Sequence, residues 1–141
     1  MVEDYNCLVI LGATATGKTQ LAVQEAQKRN AQIISADSRQ VYKGLDIGTG
    51  KDLQEYGNVP YHLIDIREAG EEYNVFNFQK DAYSAFNKIL SLNSFPIISG
   101  GTPLYIDSIV RNYNLVPVPI NPKLRKELEV MELSQLQEIF I

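Results

Sequence analysis

Cysteine occurs once in these 141 residues, as Cys7, so no disulfide can form within the chain. Its neighbours in Cys7-Leu8-Val9-Ile10-Leu11 are apolar, and the thiol reads as a small buried hydrophobe. Histidine also occurs once. His62 has strand-like neighbours and reads as a packed residue rather than a catalyst. No apolar run reaches membrane-spanning length. The segment Met1-Val2-Glu3-Asp4-Tyr5 carries acid where a signal peptide carries base, so the expected location is the cytoplasm. Positive charge is not in excess. A net charge of −4 argues against a strong nucleic-acid binder, so any nucleic-acid affinity has to come from a few positions or from chain outside this stretch. There is no internal repeat and no low-complexity segment.

What is present is the composition of a globular domain with a real core, 45% hydrophobic and 21% charged. One stretch organises it: Gly12-Ala13-Thr14-Ala15-Thr16-Gly17-Lys18-Thr19 fits G-x-x-x-x-G-K-[ST]. A strand-length apolar run precedes it, and Leu21, Ala22, Glu25 and Ala26 follow at helical spacing. A strand, a glycine turn and a helix start in that order build a phosphate cradle. Gly12 and Gly17 are expected to take backbone angles that a side chain would forbid. The loop N–H groups then face an anion, backed by the helix dipole. Lys18 adds a mobile charge for the outer phosphates, and Thr19 offers a hydroxyl to Mg²⁺. The loop alone does not name a reaction, because kinases, NTPases and other transferases share it.

The chain then alternates. Strands are expected over 6–12, 31–35, 61–66 and 95–99, and helices over 18–29 and 75–92, the latter capped by Asn74. Val75, Phe78, Ala82, Ala85, Phe86 and Ile89 form its core stripe. Residues 43–59 read as a long glycine-bearing loop over the site. Thr102 and Pro103 open a further helix, with Leu104, Ile106, Ile109 and Val110 on its buried side. Asn121-Pro122 opens another, and Ser134 with Gln137 has the spacing of a capping box for a last one. Alternation of this kind predicts an α/β fold with a largely parallel sheet. The Gly12 loop, Asp37 and the Gly100-Gly101-Thr102 turn then share the carboxyl edge, where ligands bind.

Those loops carry a family resemblance. Gly12–Thr19, the block Ile34 to Thr49, His62-Leu63-Ile64-Asp65 and Gly100-Gly101-Thr102-Pro103-Leu104-Tyr105-Ile106 together resemble the first half of a tRNA dimethylallyltransferase, also called tRNA isopentenyltransferase. Phe78, Gln79 and Asp81 lie on a helix where the family has one. The family's loop usually reads G-P-T-A-S-G-K-T. Ala13 and Thr16 depart from it, and Thr16 keeps the hydroxyl. The resemblance implies a three-layer P-loop NTPase-like core over 1–141. It also implies a second half, absent here, that grips the tRNA anticodon arm and closes basic residues on the diphosphate. An exposed apolar face is expected where that half would pack.

The implied reaction moves a dimethylallyl group from its diphosphate to the N6 amine of an adenosine beside the anticodon. The residues suit that chemistry. The loop Gly12, Ala13, Thr14, Ala15, Thr16, Gly17, Lys18 and Thr19 would hold pyrophosphate as a leaving group, with Mg²⁺ on Thr19. Asp37 would take the amine proton, or else ligate Mg²⁺ or cap the next turn. Ser38, Arg39 and Gln40 would contact the acceptor, although Arg39 reads equally as a surface charge. Thr102 would stand next to diphosphate and acceptor, or cap its helix, and Asp65 would support the metal or bond a loop. Other readings stay open: a small-molecule kinase or ATPase with ATP in the loop, an enzyme that prenylates free AMP, or a chain that binds diphosphate weakly without modifying tRNA.

Overall fold

The computed structural model describes residues 6–139. The acidic N-terminus and the apolar end at Phe140 and Ile141 lie outside the described residues. The order is β1 (Leu8–Leu11), α1 (Lys18–Arg29), β2 (Ala31–Ser35), a 3-10 turn (Leu53–Tyr56), β3 (Tyr61–His62), α2 (Val75–Ser91), β4 (Phe95–Gly100), α3 (Pro103–Val110), α4 (Pro122–Glu129) and α5 (Leu133–Ile139). The four strands form one sheet in the order β1-β4-β2-β3, and every pairing is parallel.

Helices cover both faces of the sheet, as a parallel sheet requires. Side chains alternate across each strand. Ile33 and Ile97 therefore point to one face, where Ala22, Val23 and Ala26 of α1 meet them together with Tyr56. Ile34 and Ile98 point to the other, against Phe78, Ala82, Ala85 and Ile89 of α2 and Tyr105 and Ile106 of α3. β2 is buried along its whole length. Phe78 is fully buried and stacks on Tyr105 with ring centroids 4.2 Å apart, a burial that stabilises by about 1.5–3 kcal/mol.

Asn74 begins α2 with a full capping box, its side chain accepting from the Asn77 N–H and the Asn77 side chain accepting in return. Three expectations need correction. The strand expected over 61–66 stops at His62 because Leu63 and Asp65 take left-handed conformations, with φ of 65° and 56°. The freed backbone pairs instead with 40–43, through Asp65 N–H to Gln40 O and Ile66 and Arg67 N–H to Val41 O. The buried side of α3 is Tyr105, Ile106 and Ser108, whereas Leu104 and Val110 face outward. Ser108 can be buried because its hydroxyl donates to Tyr105 O at 2.7 Å. Finally, Ser134 lies inside α5 rather than at its cap, and Gln135 accepts from the Glu132 N–H instead.

α4 and α5 bury none of their residues. Val116, Val118, Val130 and Leu133 are each at least two-thirds exposed, so an uncovered apolar face is present on the stretch after α3.

His62 is half-buried, its Nε2 2.8 Å from Gln32 Oε1. Burial, and secondarily the Lys88 ammonium, lowers its pKa below the ordinary value. The unfolded chain therefore takes up a proton near pH ~6.5 that the folded chain resists, and stability is lost as pH falls through that value. The thermal midpoint is expected to drop between about pH 7.5 and about pH 5.5, and His62→Gln to flatten that drop. An equally steep drop in the variant would assign the effect elsewhere.

Candidate phosphate site

β1 ends directly in the glycine loop, and α1 begins at Gly17, whose φ of 80° only glycine takes without strain. Gly12 does not have a positive φ. A Cβ there would lie in ordinary contact, 3.4 Å from Thr16 Oγ1 and 3.6 Å from Lys18 Cδ, so the expected unusual backbone angle is not what Gly12 supplies. The second left-handed residue of the loop is Ala15, at φ 60°. No side chain caps the amino end of α1, and its first turn carries no acid. The early N–H groups are thus left for an anion. At the other end Lys28 and Arg29 both pair with Glu25. Within the loop, the Lys18 ammonium and the Thr16 hydroxyl both donate to Ala13 O.

Across from the loop a cavity of about 440 Å³ opens at the carboxyl edge of the sheet. Its first wall is Thr14 to Thr19. Ser35, Asp37 and Gln40 come from the end of β2, and Ser99, Gly100 and Gly101 from the end of β4. The third wall is Thr49, Gly50, Asp52, Glu55 and Tyr56, from the segment after β2. A separate concavity of about 450 Å³ between Val118–Asn121 and α4 is mostly apolar and away from the glycine loop.

Asp37 uses Oδ1 to accept from the Arg39 N–H at 2.9 Å and the Gln40 N–H at 3.4 Å. It therefore caps the turn after β2, and among the described residues its second oxygen takes no hydrogen bond. Gln40 lines the cavity and donates to Thr49 O and Gly50 O, while its Oε1 accepts from Ser35 Oγ. Thr102 does not cap α3 with its side chain. Its Oγ1 accepts from the Ser38 N–H at 3.0 Å and donates to Ser38 Oγ at 3.3 Å, which stitches the end of β4 to the turn after β2. Thr102, Ser38, Arg39, Gly12 and Ala13 are not among the residues that line the cavity, and Arg39 is exposed.

The sequence placed 43–59 over the site as a whole but did not single out Thr49, Gly50, Asp52, Glu55 or Tyr56. The available signal is Asp52-Leu53-Gln54, in which Asp52 accepts from the Gln54 N–H and starts a 3-10 turn. Burial pushes the Tyr56 phenol up to about 12, and the Glu55 carboxylate adds to the rise. Among the described residues no three His, Cys, Asp or Glu side chains gather as a metal-binding group. The Thr19 hydroxyl and the carboxylates of Asp37, Asp52 and Glu55 line the cavity as separate hard oxygen donors. A single hydroxyl at the loop suits Mg²⁺, which takes few protein ligands and completes its shell with phosphate and water.

The third wall is anchored from below by Lys51, whose side chain is 1% exposed. Its ammonium donates to Tyr42 O at 2.7 Å, Asp46 Oδ1 at 3.0 Å and Asp65 Oδ1 at 2.5 Å. Desolvation pulls its pKa down, but the hydrogen bonds to Asp65 and Asp46 outweigh it and the net shift is upward. Asp65 thus holds Lys51 and does not line the cavity. Lys51→Met strips three acceptors of their donor. Asp46 stays in water, so the expected cost is about 2–3 kcal/mol, below that of a fully buried pair. Denaturant unfolding measures it.

Comparison with known proteins agrees with this architecture. The family model described as IPP transferase matches residues 40–140, and one described as Isopentenyl transferase matches 5–58. The chain is 58% identical over 138 residues to tRNA dimethylallyltransferase 2 of Treponema denticola, covering 98% of this chain and 46% of that protein. It is 52% identical to tRNA dimethylallyltransferase 2 of Shewanella sediminis, covering 99% and 46%. The chain spans about half the length of the curated relatives it matches. Among solved structures, the tRNA isopentenylpyrophosphate transferase of Bacillus halodurans superposes with a TM-score of 0.77 at 39% identity, over 88% of this chain and 41% of that one. A eukaryotic dimethylallyltransferase described as acting on tRNA gives 0.75 at 32% identity, over 91% and 33%.

Proposed function

The chain belongs to the IPP transferase family, and on that footing we propose that it serves the transfer of a dimethylallyl group from dimethylallyl diphosphate to the N6 amine of an adenosine next to the anticodon of tRNA. The observation that carries this reading is that an anion cradle and a carboxylate with a free oxygen face one cavity.

In the reaction the carbon–oxygen bond to the diphosphate breaks and a carbon–nitrogen bond to N6 forms. The bonding pair leaves with the pyrophosphate, where the loop N–H groups of Thr14 to Thr19 receive the growing charge. Lys18 exchanges the Ala13 carbonyl for a phosphate oxygen, a short swing for a flexible side chain. Thr19 would hold Mg²⁺, which supplies charge neutralisation at the leaving group. The adenine amine is a weak nucleophile because its lone pair is delocalised. The free oxygen of Asp37 takes the N6 proton as the new bond forms, while the other oxygen keeps the carboxylate aimed through the turn it caps. The adenosine reaches the cavity flipped from its stack. Gln40 contacts it at the wall, the Ser38–Thr102 pair shapes the rim, and exposed Arg39 is free to meet the RNA backbone.

No helix among the described residues is long and apolar enough to cross a membrane. We assign the reaction to the cytoplasm, where its tRNA acceptor is. A transfer assay tests the proposal, using radiolabelled dimethylallyl diphosphate with unmodified tRNA, an anticodon stem-loop or AMP as acceptor. Label in tRNA and in the stem-loop supports it. Label in AMP alone replaces tRNA with a free nucleotide. Binding of ATP, with no label in any acceptor and release of phosphate, replaces transfer with hydrolysis.

A further inference from the structure

Among the described residues, Lys51 is the one charged residue that is buried. Thr49 and Gly50 before it and Asp52 after it line the cavity, whereas neither Lys51 nor any of its three acceptors does. The acceptors lie on three stretches of chain. Tyr42 follows the turn that Asp37 caps, Asp46 leads into the third wall, and Asp65 follows β3. Two of these stretches are already paired, because the Asp65 N–H donates to Gln40 O at 3.1 Å and the Ile66 N–H to Val41 O at 2.9 Å. The wall that carries Asp37 and Gln40 therefore meets the wall of Thr49, Gly50 and Asp52 at two levels. At the cavity, the Gln40 amide reaches Thr49 O and Gly50 O at 3.4 and 3.5 Å. Away from it, the Lys51 ammonium reaches Tyr42 O and Asp65 Oδ1 at 2.7 and 2.5 Å. These shorter contacts are charge-assisted and come from a side chain shielded from water, so they are the stronger tie.

We propose that Lys51 is a positioning residue for the transfer reaction: by clamping Tyr42 and Asp65 to its own segment it fixes one cavity wall against the other and keeps the Asp37 carboxylate in register with the glycine loop. The inference rests on the transfer reading above. Lys51 touches neither substrate nor reacting atoms and acts through the turn after β2. Transfer needs the amine, its proton acceptor and the departing diphosphate aligned together, and a misplacement of about 1 Å can cost about a hundredfold in rate. Diphosphate binding needs only the loop, which Lys51 does not touch. Loss of the clamp therefore separates turnover from affinity, which a general loss of stability does not do.

The test compares the parent chain with Lys51→Met, Asp65→Asn, the double variant and Ile89→Ala. Ile89 is fully buried in α2, and its carbonyl accepts from the Ser94 N–H beside the start of β4, at the end of the sheet away from the cavity. Ile89→Ala thus supplies a loss of stability without a change at the walls. Asparagine tolerates the left-handed backbone of residue 65 as aspartate does, so Asp65→Asn removes charge alone. Transfer to unmodified tRNA, pyrophosphate affinity by calorimetry and amide exchange are read below the denaturation range of every variant. In Lys51→Met, kcat is expected to fall roughly tenfold to hundredfold while pyrophosphate affinity stays within about twofold. The Asp65 and Ile66 amides are expected to exchange faster than in Ile89→Ala. Asp65→Asn is expected to show a smaller fall, and to add nothing to Lys51→Met. Equal kcat in Lys51→Met and Ile89→Ala overturns the proposal, as does a fall in kcat matched by a fall in pyrophosphate affinity. Fully additive losses in the double variant overturn the clamp through Asp65. A parent chain that binds pyrophosphate and labels no tRNA overturns the transfer reading, and this inference with it.

Discussion

Asp37→Asn is expected to lower dimethylallyl transfer by about a hundredfold to ten-thousandfold, the usual range for loss of a general base. Pyrophosphate affinity should stay within about twofold, because the proposed reaction gives Asp37 the acceptor and leaves the cradle to the loop. The substitution isolates charge from shape. Asparagine keeps an oxygen where Oδ1 accepts from the Arg39 and Gln40 N–H groups, so the turn after β2 survives. Replacing a charged acceptor by a neutral one there costs on the order of 1 kcal/mol. The amide nitrogen that takes the place of the free oxygen cannot receive a proton. Transfer and calorimetric binding, measured on the same preparation, check both halves. Undiminished transfer would remove Asp37 from the chemistry and leave it as a cap alone.

Gly100→Ala is expected to cost about 4 kcal/mol or more, a large share of the roughly 5–15 kcal/mol that holds a domain folded. A Cβ at Gly100 would lie 2.2 Å from the Ala36 carbonyl oxygen, 2.4 Å from its carbon and 2.8 Å from its Cα. All three are backbone atoms, so no rotamer change relieves the clash. The same carbonyl accepts from the Thr102 N–H at 3.1 Å, and the Ala36 N–H donates to Ser99 O at 2.8 Å. Separating β2 from β4 here would part Asp37 from Thr102 and split the cavity. Gly48 is the control. A Cβ there meets nothing within 4 Å and its φ is not positive, so Gly48→Ala is expected to stay within about 0.5 kcal/mol. Denaturant midpoints of the two variants make the comparison. Equal midpoints would mean that the β2–β4 junction yields more easily than its hydrogen bonds imply.

The parts legible in the sequence were those governed by period and by local chemistry. α1 falls where its apolar spacing puts it and α2 where its spacing and the Asn74 cap put it, and the glycine loop lies between a strand and a helix as its motif requires. The parts that were not legible depend on partners far along the chain. An apolar run such as Leu63-Ile64-Asp65-Ile66 reads as strand, but Leu63 turns left-handed so that the backbone can pair with 40–43. α3 contains apolar residues all round. Which face is buried was decided by Phe78 stacking on Tyr105, and by Gln79 donating to Ser108 O and Tyr113 O. In the cavity, the motif identified the first wall and the end of β2 suggested the second. Asp52, Glu55 and Tyr56 have no periodicity. They reach the third wall because Lys51, hidden beneath them, ties their segment to Asp65.

The strand order also sets when the glycine loop acquires its shape. Among the described residues β1 pairs only with β4, Leu8 opposite Ile97, so this neighbour in the sheet is encoded ~90 residues later. At a ribosomal pace of about 5–20 residues per second, β1 waits on the order of 4–18 seconds for that neighbour to be made. Until then β1 and α1 can meet each other but have no sheet to lie on. Contacts of such separation in sequence are slow to form and leave strand edges open to wrong partners in the interval. The first piece of the site to be synthesised is therefore among the last to be fixed, and nascent chains stalled before Phe95 should carry the motif without the cradle.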